Sequence, residues 1–137
     1  MIIGIGIDMI DMRRIERLIQ KFGTRFTHKI FTKEERDYAE GIGNPLRAYT
    51  NRFAAKEAAV KALGTGMSQG IGWQDIEVAR APSGTPTLYF HRRAYEILES
   101  RTPPGLTGCT HVSLSDEPPY STAFVVISAI SVEKSLF

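Results

Sequence analysis

Residues 51–66 carry a glutamate and a lysine, Glu57 and Lys61, whose types and spacing suit chemistry. This segment, NRFAAKEAAVKALGTG, is rich in residues that favour helix, so side chains four positions apart share one face. A carboxylate and an ammonium on that face could handle a phosphate group. The Gly64-Thr65-Gly66 loop fits the same chemistry, because glycine lets a phosphate approach the backbone closely. The alternative is a surface ion pair contributing about 0.3–0.5 kcal/mol.

Asp8 is a second carboxylate that the sequence leaves available. Residues 3–8, IGIGID, alternate between isoleucine and glycine or aspartate, which is typical of a strand. The two glycines share a face with Asp8 and leave room there for another backbone or a ligand. Asp11 is better placed to cap the helix that follows. Asp8 and Glu57 are therefore the best candidate pair for Mg²⁺, which commonly binds one or two carboxylates plus waters and phosphates.

A basic face is predicted on the first helix, Met12–Phe22. The apolar residues at core spacing are Ile15, Leu18, Ile19 and Phe22. The basic residues on the other side, or just beyond the helix, are Arg13, Arg14, Arg17, Lys21 and Arg25. Such a run is commonly a solvated face. The functional alternative is docking of an acidic partner, since arginine pairs well with carboxylates.

The order of the predicted elements indicates the fold class. The first strand and helix are followed by a short helix, which a capping box at Thr32 opens and which ends near Gly41, and by a long helix over Pro45–Leu63. The remaining predicted elements are strands over 73–80 and 87–90, a helix over 92–100, a loop over 102–108, and strands over 111–115 and 120–130. Strands at both ends with helices early predict an α+β fold, with a mostly antiparallel sheet packed against the long central helix. We expect one domain over 1–130 and a tail over 131–137.

The composition argues against several classes of protein. Hydrophobic residues make up 42% and charged residues 23%, as in ordinary globular proteins. The single cysteine, Cys109, excludes an internal disulfide and cannot build a thiolate zinc site alone. No apolar run approaches the length of a membrane span. The net charge of +2 does not by itself indicate nucleic acid. We expect a cytoplasmic protein with neither a membrane nor a nucleic-acid partner.

Two rival functions use the same residues. A nucleic-acid-binding module could use the basic face, but the sequence shows no base-reading motif or aromatic stacking platform beside it. A magnesium-dependent phosphohydrolase could use the two carboxylates and the lysine.

Four stretches narrow these alternatives: GIGIDMIDMRRI, RFAAKEAAVKALGTG, WQDIEV with GTP, and HVSLSD. Together, in this order, they resemble the holo-acyl-carrier-protein synthase family of the 4′-phosphopantetheinyl transferase superfamily. The resemblance extends to about Ile130. Many members have Ser-His where this chain has Ser115-Asp116, so no role is assigned to a histidine at that position.

The resemblance implies transfer of the phosphopantetheine arm of coenzyme A to a serine of apo acyl carrier protein, in support of fatty acid biosynthesis. Adenosine 3′,5′-bisphosphate would be released. Asp8 and Glu57 would hold Mg²⁺, and Lys61 would contact the α-phosphate. Proton removal from the serine would fall to Glu57 or to a water on the metal.

The resemblance also implies the binding surfaces. The residues expected to contact coenzyme A are Arg52, Lys61, Gly64, Thr65, Gly66 and His111. The residues expected to receive the acidic carrier protein are Arg13, Arg14, Arg17, Lys21 and Arg25. The resemblance also implies a homotrimer whose sites lie between neighbouring subunits.

Overall fold

The computed structural model describes residues 1–131. Residues 132–137, nearly all of the predicted tail, lie outside the described residues. The elements are β1 (Ile2–Asp11), α1 (Met12–Phe22), α2 (Thr24–Ile30), α3 (Lys33–Gly41), α4 (Pro45–Leu63), a 3₁₀ turn (Trp73–Asp75), β2 (Ile76–Arg80), β3 (Pro86–Phe90), α5 (Arg92–Arg101), β4 (Leu106–Glu117) and β5 (Tyr120–Ser131).

The strands form two antiparallel sheets. The larger sheet has three strands in the order β1-β5-β4, so the first and last strands of the chain are neighbours. The smaller sheet is the hairpin of β2 and β3. Alternate residues of β5 are fully buried, as expected for a central strand with one face on the core. The predicted α+β architecture with an antiparallel sheet against a long helix is confirmed.

The long helix α4 is the centre of the core. Asn44 caps its start by accepting a hydrogen bond from the Arg47 amide, and Pro45 occupies the first turn. Gly64 ends it in the left-handed conformation, with φ of 80°. Of its 19 residues 14 are buried, so α4 is packed on several sides rather than lying on the surface.

Two glycines let β1 lie directly on the backbone of α4. A Cβ atom added at Gly4 would stand 1.9 Å from the carbonyl oxygen of Ala62. One added at Gly6 would stand 2.0 Å from the carbonyl oxygen of Ala58. No side chain fits at such distances, so the glycines of the IGIGID segment permit this close approach. The same face of β1 carries Asp8, which is thereby placed alongside α4.

Replacing Gly6 with alanine is expected to destabilise the fold by about 1–3 kcal/mol, because the new methyl group must push β1 off α4. Urea unfolding measures the loss. Gly43→Ala is the matched control, since nothing lies within 4 Å of the Cβ position there. Equal stability of the two variants would contradict the close packing.

The structure corrects four details of the predicted elements. Residues 73–75 form a 3₁₀ turn rather than strand, because the Asp75 carboxylate accepts a hydrogen bond from the Gly72 amide at 2.9 Å. The loop predicted over 102–108 is shorter, since β4 begins at Leu106 opposite Ser131. Helix α2 was not predicted, being only seven residues long. Phe22 is 40% exposed and so does not belong to the core.

Candidate active site

Asp8 and Lys61 meet where β1 passes along α4. The Lys61 ammonium donates hydrogen bonds to the Asp8 carboxylate at 3.1 Å and to the Ile7 carbonyl at 3.0 Å. None of the ion pairs within 4.0 Å among residues 1–131 includes Glu57. Lys61 therefore reaches across to the strand instead of forming the surface pair with Glu57 that was the alternative interpretation.

Glu57 lies half-buried on the same side of α4. Burial raises its pKa, and the negative charge of Asp8 raises it further, while Lys61 and Arg14 lower it. The negative charges of Asp8 and Glu57 repel each other, and a bound cation would offset this repulsion. Among residues 1–131 no third Asp, Glu, His or Cys completes a larger metal cluster. Two carboxylates fit Mg²⁺, which takes its other ligands from water and phosphate.

Arg14 connects the first helix to this site. Its guanidinium lies 5.6 Å from the centroid of the Phe53 ring, and its charge acts on Glu57. Arg13, by contrast, pairs with the helix cap Asp11 at 2.6 Å, and these hydrogen bonds lower the pKa of Asp11 to about 2. The predicted basic face is therefore not uniform, because Arg13 stabilises the start of α1 whereas Arg14 extends toward Glu57.

An apolar groove with a basic rim lies beyond Phe53, between α1, α2 and α4. Its volume is about 410 Å³. The lining residues are Leu18, Phe22, Arg25, Phe26, Lys29, Ile30, Phe53 and Trp73. Phe53 stacks on Trp73 with ring centroids 5.0 Å apart. Sequence reasoning identified Arg25 but missed this groove, because it depends on the packing of α2, which was not predicted.

Arg52 lies on another side of α4 and is only 2% exposed. Its guanidinium stacks 4.1 Å from the Tyr38 ring centroid, and burial lowers its pKa. The Arg52 Nε is buried without a hydrogen-bond partner among the described residues. Arg52 lines a cavity of about 340 Å³ together with Arg47, Asn51 and Arg80. The structure does not bring Arg52 together with Asp8 within one chain.

Residues 64–66 close the end of α4. The amides of Gly64, Thr65 and Gly66 donate to the carbonyls of Val60 and Lys61. The Thr65 hydroxyl donates to the Gly66 carbonyl at 2.7 Å. Because these amides already have partners, the loop can offer a packing surface to a nucleotide but not free amide donors.

His111 lies on the outer face of the large sheet. Val112 and Leu114, its neighbours in the alternation, pack against the core. His111 is exposed and lies 3.3 Å from the Ser128 hydroxyl. Since α4 covers the opposite face, the structure separates His111 from Glu57 within one chain.

Asp116, the departure from the family pattern, joins β4 to α4. Its carboxylate accepts hydrogen bonds from Arg47 at 2.9 Å and Asn51 at 3.1 Å. Burial opposes ionisation, but these bonds hold the pKa of Asp116 below its usual value. Asp116 thereby orders two residues of the cavity that Arg52 lines.

The comparisons with known proteins place this chain in one class. A family model described as the 4′-phosphopantetheinyl transferase superfamily matches residues 4–107. The chain therefore belongs to the 4′-phosphopantetheinyl transferase superfamily. This confirms the resemblance that the four sequence stretches indicated.

Its relatives in that superfamily are holo-[acyl-carrier-protein] synthases. The chain is 52% identical over 132 residues to the one from Methylorubrum populi, covering 96% of this chain and 97% of the relative. The crystal structure of the Neisseria meningitidis protein has a TM-score of 0.83 at 36% identity, covering 93% of this chain and 99% of that one. The Bacillus anthracis protein, in complex with CoA (3′,5′-ADP), has a TM-score of 0.75 at 34% identity, covering 96% and 99%.

Helices that could cross a bilayer are absent from residues 1–131, since none combines sufficient length with sufficient apolar character.

Proposed function

We infer that this chain transfers the 4′-phosphopantetheine group from coenzyme A to a serine of apo acyl carrier protein, releasing adenosine 3′,5′-bisphosphate. The observation that carries this inference is the ion pair of Asp8 and Lys61 between β1 and α4, with Glu57 near enough for the charge of Asp8 to raise its pKa, in a chain of this superfamily. The relatives' names supply the carrier protein, and the Bacillus anthracis complex supplies the nucleotide. A role in fatty acid biosynthesis and a cytoplasmic location stay predictions.

Asp8 and Glu57 are the residues that would hold Mg²⁺. When bound, the metal neutralises charge on the diphosphate of coenzyme A and orients it. Support comes from the chemistry of the donor set, two carboxylates close enough for the charge of Asp8 to raise the pKa of Glu57. The metal itself stays a proposal.

The remaining chemistry falls to residues of the chain. The serine oxygen attacks the phosphorus that bears pantetheine, and the bond from that phosphorus to the bridging oxygen breaks. Adenosine 3′,5′-bisphosphate leaves with the electron pair, and the serine proton passes to Glu57. Glu57 is a half-buried carboxylate on the same side of α4 as Lys61, and it would accept this proton directly or through a water. Lys61 stabilises the negative charge that develops on the leaving phosphate.

The basic cavity around Arg52 suits a phosphate of coenzyme A. Three arginines, Arg47, Arg52 and Arg80, line it, and the Arg52 Nε lacks a protein partner among residues 1–131. A buried guanidinium atom without a partner is costly, and a phosphate oxygen would satisfy it. Residues 64–66 would pack against the nucleotide.

The outer face of the large sheet supports the proposed homotrimer. Ile5 is 61% exposed, Ile7 58% and Met9 67%, and Phe124 of the neighbouring strand is 43% exposed. A contiguous apolar patch of this kind marks a protein interface. His111 lies on the same face of the sheet. A neighbouring subunit covering this face would contact His111, which fits a site shared between subunits.

The apolar groove and the basic residues near it suit an acidic carrier protein with an apolar contact surface. Arg14 lies between the groove and Glu57, so a carrier docked there would present its serine at the carboxylates. Arg17 and Lys21 continue the same helix, Arg25 stands on the rim, and Arg13 flanks the start of the helix.

Reversing two of these charges away from Glu57, in Arg17→Glu with Lys21→Glu, is expected to raise the KM for the carrier protein about tenfold at low salt, because long-range attraction is lost. The KM for coenzyme A should change little. Steady-state kinetics at several salt concentrations measures both constants, with Lys33→Glu on α3 as the control. Equal losses for both substrates would contradict docking of the carrier on α1.

A bisphosphate assay separates the transferase from the phosphohydrolase. The chain is incubated with coenzyme A and Mg²⁺, with and without apo carrier protein, and released adenosine 3′,5′-bisphosphate is quantified. A transferase releases it only when the carrier is present. Release at the same rate without the carrier would select the hydrolase.

A further inference from the structure

The ammonium of Lys61 binds the carboxylate that we propose for the metal. It lies 3.1 Å from Asp8 Oδ1, and it also donates to the Ile7 carbonyl at 3.0 Å. The Asp8 side chain is only 17% exposed, whereas that of Lys61 is 52% exposed. Asp8 therefore has a positively charged partner, and that partner is Lys61, the residue assigned to the phosphate of coenzyme A.

The Lys61 ammonium and a Mg²⁺ ion would repel each other if both were bound to the Asp8 carboxylate. Mg²⁺ binds oxygen at about 2.0–2.1 Å, so a metal on this carboxylate would be an immediate neighbour of the ammonium. The Lys61 side chain is able to move, since it is half exposed and carries a flexible four-carbon stem. Moving it breaks two exposed hydrogen bonds.

We propose that Lys61 is a resident counter-ion of the metal site, neutralising Asp8 in the free protein and leaving it when a divalent cation binds. Its ammonium then becomes available for the phosphate of the substrate. This inference rests on the proposed function through the assignment of Asp8 as a metal ligand. Its consequence is that the chain weakens its own metal binding until a phosphate offers Lys61 a new partner.

Metal affinity without substrate tests this exchange. Mn²⁺ is titrated into the coenzyme A-free protein, and free Mn²⁺ is followed by electron paramagnetic resonance. Lys61→Met should bind Mn²⁺ about two- to fivefold more tightly than the wild type, the range expected for losing one exposed competing ion pair. Lys61→Gln should behave alike, because it keeps a hydrogen-bond donor but loses the charge.

Lys33→Met is the matched control, since Lys33 also pairs with one aspartate, Asp37, at 2.7 Å on an exposed surface. It changes the net charge equally but should leave Mn²⁺ affinity unchanged. Thermal unfolding confirms that each variant is folded. Unchanged or weaker binding in both Lys61 variants overturns the inference, as does equal tightening in Lys33→Met.

Asp8→Ala in the same titration separates the two claims. If it weakens binding while the Lys61 variants do not tighten it, the counter-ion role fails and the proposed metal ligand stands. If it leaves binding unchanged, the metal assignment fails and the counter-ion role fails with it. Transfer of phosphopantetheine by the wild type is measured separately and depends on neither result.

Discussion

Asp8→Ala is expected to lower the turnover of transfer by about 100- to 1,000-fold, the loss typical of removing one group that stabilises transition-state charge. The variant should remain folded, because among residues 1–131 the Asp8 side chain pairs only with Lys61, whose own side chain is 52% exposed, and such pairs contribute little to stability. Glu57→Gln should show a similar loss, since it keeps the shape of the side chain but removes its charge and basicity.

Turnover at saturating coenzyme A and carrier protein, with a thermal melt of each variant, measures this effect. Asp37→Ala is the control, because Asp37 is likewise paired with a lysine but is exposed and lies on α3. Near-normal turnover of Asp8→Ala at limiting Mg²⁺ would contradict the metal assignment. A melting temperature so low that most of the variant is unfolded at the assay temperature would instead assign Asp8 a structural role.

The largest loss of stability is expected from the buried pair of Glu35 and Lys56. The two charged groups lie 2.8 Å apart, and both side chains have 0% exposure. Glu35 also accepts hydrogen bonds from the amides of Thr32 and Val78, and Lys56 donates to the carbonyls of Trp73 and Ile76. The pair thus joins α3, α4 and the β2–β3 hairpin.

Lys56→Met should lower the free energy of unfolding by about 3–5 kcal/mol, because it leaves the Glu35 carboxylate buried without its partner. Urea denaturation measures the loss. Glu35→Gln combined with Lys56→Met should recover part of it, since the double variant contains no isolated buried charge. Lys33→Met, which breaks an exposed pair, should cost less than about 1 kcal/mol. Equal losses of unfolding free energy in Lys56→Met and Lys33→Met would contradict the burial of the Glu35–Lys56 pair away from water.

Local signals in the sequence predicted the helix that carries the site. The cap at Asn44, the proline that follows and the glycine at position 64 fixed both ends of α4. The alternation of residues 3–8 predicted β1 and room for a close approach at its glycines. These features depend on neighbouring residues, so a single sequence contains them.

Features that depend on distant parts of the chain were less accessible. The bond between Lys61 and Asp8 forms only because β1 lies on the backbone of α4, which no local pattern specifies. The pairing of Glu35 with Lys56 also depends on distant parts of the chain, and no local pattern predicted it. The motif grouped His111 with the site residues, yet the sheet separates them within one chain. His111 could join such a site only if a second subunit packed against this face of the sheet.

The intact mass of the carrier protein tests the proposed transferase most directly. Apo carrier is incubated with the wild-type chain, coenzyme A and Mg²⁺, and a carrier whose acceptor serine is replaced by alanine serves as the control. We expect the wild-type carrier to gain the mass of one phosphopantetheine group, located on that serine, and the control carrier to gain nothing. An unchanged mass of the wild-type carrier, with a folded protein and intact coenzyme A, would contradict the proposed function.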